Sequence, residues 1–291
     1  MDQQHGFPGE LPVIPSGLSG GEIDFVPGEG FWTRIEQIAV KGEMTRGLDT
    51  AMHGQSSPRI WLFLHEPGRG ELSAAAAMSF ARELAFRDQA ALLLDCDDGD
   101  MALTRWAGRV EAEGWIDLAR YGTSVLTSGV PMPFVGRRGY LLGVGSFAPT
   151  HVTGEEIDTL LTRLRRQADD VLLVAPADSL GRLWAPSATI RIFCWDQQTM
   201  SVEAADGIAR EFTEAGCPLT AVATFQETVV AGELLVDEIL SEDEAVSEIP
   251  EPVAPSEPEA VEPPALVDAG VVEEPKPEPE SEEESDWRDL P

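Results

Sequence analysis

Pro67-Gly68-Arg69-Gly70-Glu71-Leu72-Ser73 stands between an apolar run, Ile60 to Leu64, and a stretch whose apolar residues recur at helical spacing. Strand, glycine turn and helix form the context of a phosphate-binding loop, in which backbone N–H groups at the turn and the helix N-terminus converge on an anion. Such a loop ends Gly-Lys-Ser/Thr. Here the lysine position holds Glu71 and the hydroxyl position holds Leu72. A carboxylate replaces the ammonium that neutralises phosphate, and an aliphatic chain replaces the hydroxyl that holds Mg²⁺. Two unit charges about 4 Å apart interact by about 4 kcal/mol at an effective dielectric of about 20, so exchanging attraction for repulsion removes several decades of affinity. The seven residues predict a nucleotide-binding fold that is not a working nucleotide hydrolase.

Outward from this loop, short apolar runs alternate with amphipathic stretches between residues 59 and 226. That alternation is the signature of a mainly parallel sheet with crossover helices. Strands are expected at Ile60 to Leu64, Ala91 to Leu94, Tyr140 to Val144, Val171 to Val174, Thr189 to Cys194 and Leu219 to Ala223. Each is short and almost continuously apolar, as a strand buried on both faces must be. Leu72, Ala76, Phe80 and Leu84 mark one helix face, Ile157, Leu160, Leu161 and Leu164 a second, and Val202, Ala205, Ala209 and Phe212 a third. The expected fold class is α/β, a mainly parallel sheet with flanking helices, over residues 31–236. Within it the pattern Trp32, Ile35, Ile38, Ala39 predicts a helix between Phe31 and Met52.

The two ends read differently. Residues 1–30 are rich in glycine and proline and read as a flexible arm, with a candidate docking segment around Ile23 to Val26. Residues 237–291 carry 20 acidic residues against two basic ones, −18 of the net −32 of the whole 291-residue chain. Repeated Pro-Glu steps and like-charge repulsion predict a disordered, extended acidic tail. It ends Asp286-Trp287-Arg288-Asp289-Leu290-Pro291, in which Trp287 and Leu290 form a candidate docking motif on a polar tether. A chain with 52 acidic and 20 basic residues excludes unassisted binding to nucleic acid or an anionic membrane and favours basic partners. No apolar stretch approaches the roughly 18 to 20 residues of a membrane span, so direct membrane insertion is not expected. No basic-then-apolar leader opens the sequence, and a cytoplasmic chain is the expectation. Cys96, Cys194 and Cys217 have no disulfide or metal spacing and read as buried, reduced thiols.

The second informative element is Ala91-Leu92-Leu93-Leu94-Asp95-Cys96-Asp97, an apolar strand ending in two carboxylates. Ligands of open α/β sheets sit at the carboxyl ends of strands, so Asp95 and Asp97 are expected to face the loop at Gly68 and Gly70. There they either hold Mg²⁺ through water or belong to a turn and helix cap in Asp97-Asp98-Gly99-Asp100. His5, His53, His65 and His151 have no partner at metal-ligand spacing and read as surface or locally bonded histidines. Ser73 lacks the Gly-x-Ser-x-Gly elbow of a hydrolase nucleophile. Gly136-Arg137-Arg138-Gly139 reads as a solvated turn, and Trp106, Trp115, Trp184 and Trp195 as packing on the sheet faces or at an oligomer surface.

The order of these parts over roughly residues 57–226 resembles the MinD/ParA-type P-loop ATPases. Among them it is most similar to the cytoplasmic domain of the bacterial tyrosine kinases (CpsD/CapB-like) of polysaccharide export. That family shows Pro-Gly-Glu-Gly-Lys-Ser-Thr, here Pro67 to Ser73, and then a strand ending Asp-x-Asp, here Asp95-Cys96-Asp97. A Gly-Leu-x-Asp-Leu-like segment follows, here Gly114-Trp115-Ile116-Asp117-Leu118, and a strand ending in glycine, here Tyr140 to Gly145. A later strand normally ends Asp-Thr-Pro-Pro, here Val174-Ala175-Pro176-Ala177. The departures fall on the chemistry: Glu71 for the lysine, Leu72 for the metal-ligating hydroxyl, Val174 for the catalytic aspartate. The family's C-terminal tyrosine cluster is absent, since the chain's two tyrosines are Tyr121 and Tyr140. The resemblance therefore implies a catalytically inactive accessory or regulatory protein of exopolysaccharide or capsule biosynthesis and export, with no cofactor. Its implied partner is the cytoplasmic segment of a membrane chain-length regulator or a related assembly protein, which would recruit it to the inner membrane, and homo-oligomers are compatible with the family. Two alternatives stay open. One is an ATPase or tyrosine kinase in which Arg69 replaces the lysine and Asp95 and Asp97 hold the Mg²⁺ of ATP; the other is a MinD/ParA-like spatial organiser.

Overall fold

The apolar runs become strands in a computed structural model of the chain, which describes residues 11–16, 56–132, 139–145 and 152–225. All of these belong to one unit, Met1–Glu233. The strands are Val13–Pro15 (β1), Arg59–His65 (β2), Ala91–Asp95 (β3), Val130–Pro131 (β4), Tyr140–Leu142 (β5), Asp170–Pro176 (β6), Ile190–Asp196 (β7) and Ala221–Phe225 (β8). They form one sheet in the order β1-β8-β7-β2-β6-β3-β5-β4. Every pairing is parallel except that of β4 with β5. All six expected strands are present. In β2 and β6 every residue is buried, which is why their sequences run apolar without alternating.

Parallel neighbours need crossovers, and helices supply them. They are Gly70–Phe86 (α1), Ala102–Trp106 (α2), Trp115–Tyr121 (α3), Val125–Ser128 (α4), Gly154–Leu164 (α5), Ser179–Trp184 (α6) and Val202–Glu214 (α7). One sheet face, with Trp61, Phe63, Leu93, Leu172 and Ile192, packs under α1 and α2. The other, with Leu62, Leu94, Leu173, Phe193 and Val222, packs under α3, α5, α6 and α7. The stripe Leu72, Ala76, Phe80 and Leu84 is buried as its spacing predicts, and Ala74, Ala75 and Ala77 are buried beside it. Such small side chains let α1 lie close over the middle of the sheet. Thr153 and Glu156 close a reciprocal capping box at the start of α5, and Ser201 caps α7. Trp106, Trp115, Trp184 and Trp195 are buried against the sheet faces. Cys96, Cys194 and Cys217 are buried and free.

At the opposite end of the sheet from the loop, Arg59 makes a two-pronged pair with Asp170, Nε to Oδ1 at 2.6 Å and a terminal nitrogen to Oδ2 at 2.7 Å. Trp61 Nε1 donates to the same carboxylate at 2.7 Å. The charges are almost completely buried and fully hydrogen-bonded, the condition under which a buried pair is tolerated.

One expectation is corrected. The flexible arm expected over residues 1–30 contains β1, a parallel edge strand on β8. Pro12 O accepts from Val222 N–H at 2.9 Å, Ser16 N–H donates to Thr224 O at 2.9 Å, and Ile14 is buried in the core. A lone buried apolar residue between two prolines reads as loop, and an edge strand is where proline fits a sheet. The segment Ile23 to Val26, the helix expected between Phe31 and Met52, and the tail with Trp287 and Leu290 lie outside the described residues. Among the described residues no helix is long and apolar enough to cross a membrane.

Candidate functional site

The connection from β2 through α1 skips one position, because β6 stands between β2 and β3. The carboxyl ends of β2, β3 and β6 therefore open on one crevice, of about 660 Å³, to which Pro67, Gly68, Asp97, Asp98, Asp100 and Asp178 contribute. Gly68 turns the loop with φ +84°, a left-handed conformation open to glycine. The Arg69 N–H donates to Glu66 O at 2.9 Å, and α1 begins at Gly70.

The N–H group that opens this helix already has an anion. Gly70 N–H donates to Asp100 Oδ2 at 3.0 Å. The other Asp100 oxygen pairs with Arg105. A Cβ on Gly70 would lie 2.6 Å from Asp100 Oδ2, so glycine is what lets the carboxylate approach. A negative group is electrostatically favoured at that end of a helix. Glu71, at the lysine position, accepts from Arg69 Nε at 2.5 Å. Arg69 also reaches Asp196 Oδ2 at 2.9 Å and Thr199 Oγ1 at 3.0 Å, which commits it to the end of β7. Leu72 is buried in the core.

Ser73, His65 and Asp97 form a chain. Ser73 Oγ lies 2.6 Å from His65 Nδ1, and His65 Nε2 lies 3.0 Å from Asp97 Oδ2. Burial pushes the Asp97 carboxyl up, but the His65 bond and the Asp100 and Gly99 N–H groups outweigh it and hold it below the usual range. An ionised carboxylate only accepts, so His65 Nε2 donates to Asp97, and the Ser73 hydroxyl also lies within donating distance, 3.1 Å, of Gly70 O. The order serine, histidine, aspartate is that of a hydrolytic triad, but Ser73 and His65 are both completely buried. No substrate reaches the hydroxyl. The chain ties the end of β2 to the first turn of α1 and to the loop after β3.

Asp95 and Asp97 part company, contrary to the expectation that both face the loop. Asp97 lines the crevice. Asp95 turns back into the protein, where Oδ2 accepts from the Thr104 N–H and hydroxyl, each at 2.8 Å. Burial pushes its carboxyl up to about 6 against the pull of those bonds. The Asp97-Asp98-Gly99-Asp100 segment is a turn held by Asp97 Oδ1, which accepts from the Gly99 and Asp100 N–H groups at 2.9 and 3.1 Å. Val174 is a buried strand residue paired with Phe63 and Asp95, and contributes only packing. The two lysines, Lys41 and Lys276, lie outside the described residues. Among the described residues no group of three or more His, Cys, Asp or Glu is placed to hold a metal ion. The residues present do not fit Mg·ATP: a carboxylate holds the helix N-terminus, a second stands at the lysine position, and four aspartates face the crevice.

His65, Asp100 and Asp178 are not legible in the sequence as site residues. The partners of His65 are 8 and 32 positions away, beyond any ligand spacing, and its burial corrects the surface half of the expectation for it. Asp100 reaches Gly70 across 30 positions, and only the crossover brings them together. Asp178, whose Oδ1 caps α6 by accepting from Leu180 N–H at 2.8 Å, carries in sequence the usual signature of a helix cap. His5, His53, His151 and residues 136–138 lie outside the described residues.

No protein-family profile matches the chain, and no curated protein sequence is significantly similar to it. Solved structures are similar in fold. The VpsO kinase domain superposes with a TM-score of 0.55 at 18% identity, covering 67% of this chain and 97% of that one. The chimerical protein CapA2B2 gives 0.60 at 14% identity over 75% and 95% of the two chains. The kinase domain of the Escherichia coli tyrosine kinase Etk gives 0.52 at 13% over 75% and 80%. The chain thus has the P-loop fold of bacterial tyrosine-kinase domains.

Proposed function

We propose that this chain is a catalytically inactive protein of P-loop fold that works by binding protein, as an accessory or regulatory component of bacterial exopolysaccharide or capsule biosynthesis. The observation that carries the inactive half is the Asp100 carboxylate on the Gly70 N–H, with Arg105 behind it. It supplies from within the chain the anion that a P-loop leaves to its substrate. Glu71 and the crevice aspartates oppose any second anion. The alternative in which Arg69 replaces the loop lysine loses its support, since that guanidinium is already paired with Glu71 and Asp196.

The pathway half is supported by the fold shared with tyrosine-kinase domains and by the order of motifs described above. The docking partner is the cytoplasmic segment of a membrane chain-length regulator, and the acidic tail serves as a tether or as a competitor for basic surfaces. Mg·ATP and Mg·ADP titrated calorimetrically into the full chain are expected to give no saturable binding. Saturable binding is expected in the Asp100→Ala, Glu71→Lys, Leu72→Ser variant, which clears the helix N-terminus and restores the loop chemistry. Micromolar binding by the unmodified chain would overturn the inactive reading. For the partner, the full chain titrated against the cytoplasmic segment of the chain-length regulator from the same genome is expected to bind, and absence of binding removes that assignment.

A further inference from the structure

The crevice persists although its anion chemistry is gone, and its lining has changed sign. Its apolar lining includes Leu180, Leu183 and Trp115, its polar lining the carboxylates of Asp97, Asp98, Asp100 and Asp178, and no lysine or arginine lines it among the described residues. The arginines nearest the loop are committed elsewhere, Arg69 to Glu71 and Asp196, and Arg105 to Asp100. Asp97 is satisfied by His65 and two backbone N–H groups. Among the described residues Asp98 and Asp178 have no ion pair. Partial burial, and to a smaller extent the nearby charges of Asp97 and Asp178, raise the Asp98 carboxyl above its usual range.

A crevice lined by both leucines and carboxylates suits a side chain with an aliphatic stem and a cationic head. The stem lies along the leucines while the head bonds the carboxylates. We propose that the crevice receives an arginine or lysine side chain presented by a basic segment of a partner protein. The volume of about 660 Å³ is within the usual range of ligand pockets. The net charge of −32 steers basic segments toward the molecule. This inference rests on the reading that the crevice is not a nucleotide site.

The test is a methyl NMR titration of the full chain, following Leu180 and Leu183. The probes are the peptide acetyl-Ser-Leu-Arg-Leu-Arg-Ser-amide and the same peptide with citrulline, the neutral isostere, in place of arginine. The arginine peptide is expected to shift both leucines and the citrulline peptide to leave them unmoved. An Asp98→Asn, Asp178→Asn variant, whose amide oxygen at position 178 keeps the α6 cap, is expected to bind the arginine peptide at least about tenfold more weakly. Shifts confined to residues 237–291, equal shifts with citrulline, or unchanged binding by the double variant would each overturn the inference. Mg·ATP added to a separate sample distinguishes the two readings. If it moves the same leucines at micromolar concentration, the inactive reading fails. If both it and the arginine peptide leave them unmoved, only the cation site fails.

Discussion

Asp95 and Asp97 are two residues apart and titrate in opposite senses, because one faces the core and the other a histidine. The folded-state pKa of Asp97 is depressed, so its contribution is present at neutral pH and is lost as pH falls through that value. Asp95 is raised to about 6, so the folded chain binds its proton more tightly than the unfolded chain does. That contribution stabilises the fold fully below the unfolded value near 4 and is lost as pH rises through about 6, by something on the order of 3 kcal/mol. Asp95→Asn keeps an oxygen for Thr104 and removes the titration. Urea unfolding of both proteins is therefore expected to show the wild type gaining on the variant between pH 7 and pH 4. A difference that does not change with pH would mean that Asp95 is not the buried acid described here. The sequence shows that two carboxylates end β3. It does not show that Thr104, nine positions on, claims one of them, because that depends on how α2 folds back.

At the scale of elements, the segments Gly114-Trp115-Ile116-Asp117-Leu118 and Tyr140 to Gly145 stand apart in the sequence, and the structure makes them one unit. Trp115 N–H donates to Gly143 O at 2.9 Å, and Trp115 Nε1 to Asp95 O at 2.6 Å. Trp115 then meets Trp184 edge to face, with centroids 5.1 Å apart, joining α3 to α6 beneath the crevice. The approach is possible because residue 114 has no side chain: a Cβ there would lie 2.2 Å from Gly143 O and 2.5 Å from Gly145 N. Both obstacles are backbone and cannot rotate away. Gly114→Ala is expected to destabilise the protein by an amount at the upper end of the roughly 1–3 kcal/mol of overpacking substitutions, measured by urea unfolding. A change below about 0.5 kcal/mol, the scale of an ordinary surface substitution, would show that these segments are not in contact. The strands are legible because burial on both faces leaves an uninterrupted apolar signal. The contact between α3 and the end of β5 is not, since a glycine that clears backbone looks in sequence like a glycine in any loop.

For the whole molecule, β1 is a short edge strand that closes one side of the sheet. Deleting residues 1–16 removes Ile14 from the core and leaves the Val222 N–H without the Pro12 carbonyl it meets at 2.9 Å. The truncated protein is expected to melt lower, by the roughly 2–5 kcal/mol of a large buried aliphatic side chain, with amide exchange at Val222 at least about tenfold faster. Unchanged exchange at Val222 would mean that β1 does not occupy this edge. The apolar period of the chain determined the layered α/β architecture, because a parallel sheet covered on both faces confines the charged and histidine residues of its central strands to their ends, as with Arg59, His65, Asp95 and Asp170. The glycine loop determined where the ligand crevice lies, since a strand that turns through glycines into a helix leaves N–H groups pointing at one place. Tertiary structure alone decided what fills that place. His65 ends β2, Asp100 comes from the connection after β3 and Asp178 from the connection after β6, and their meeting depends on β6 entering the sheet between β2 and β3, a choice of strand order that no local pattern of residues encodes.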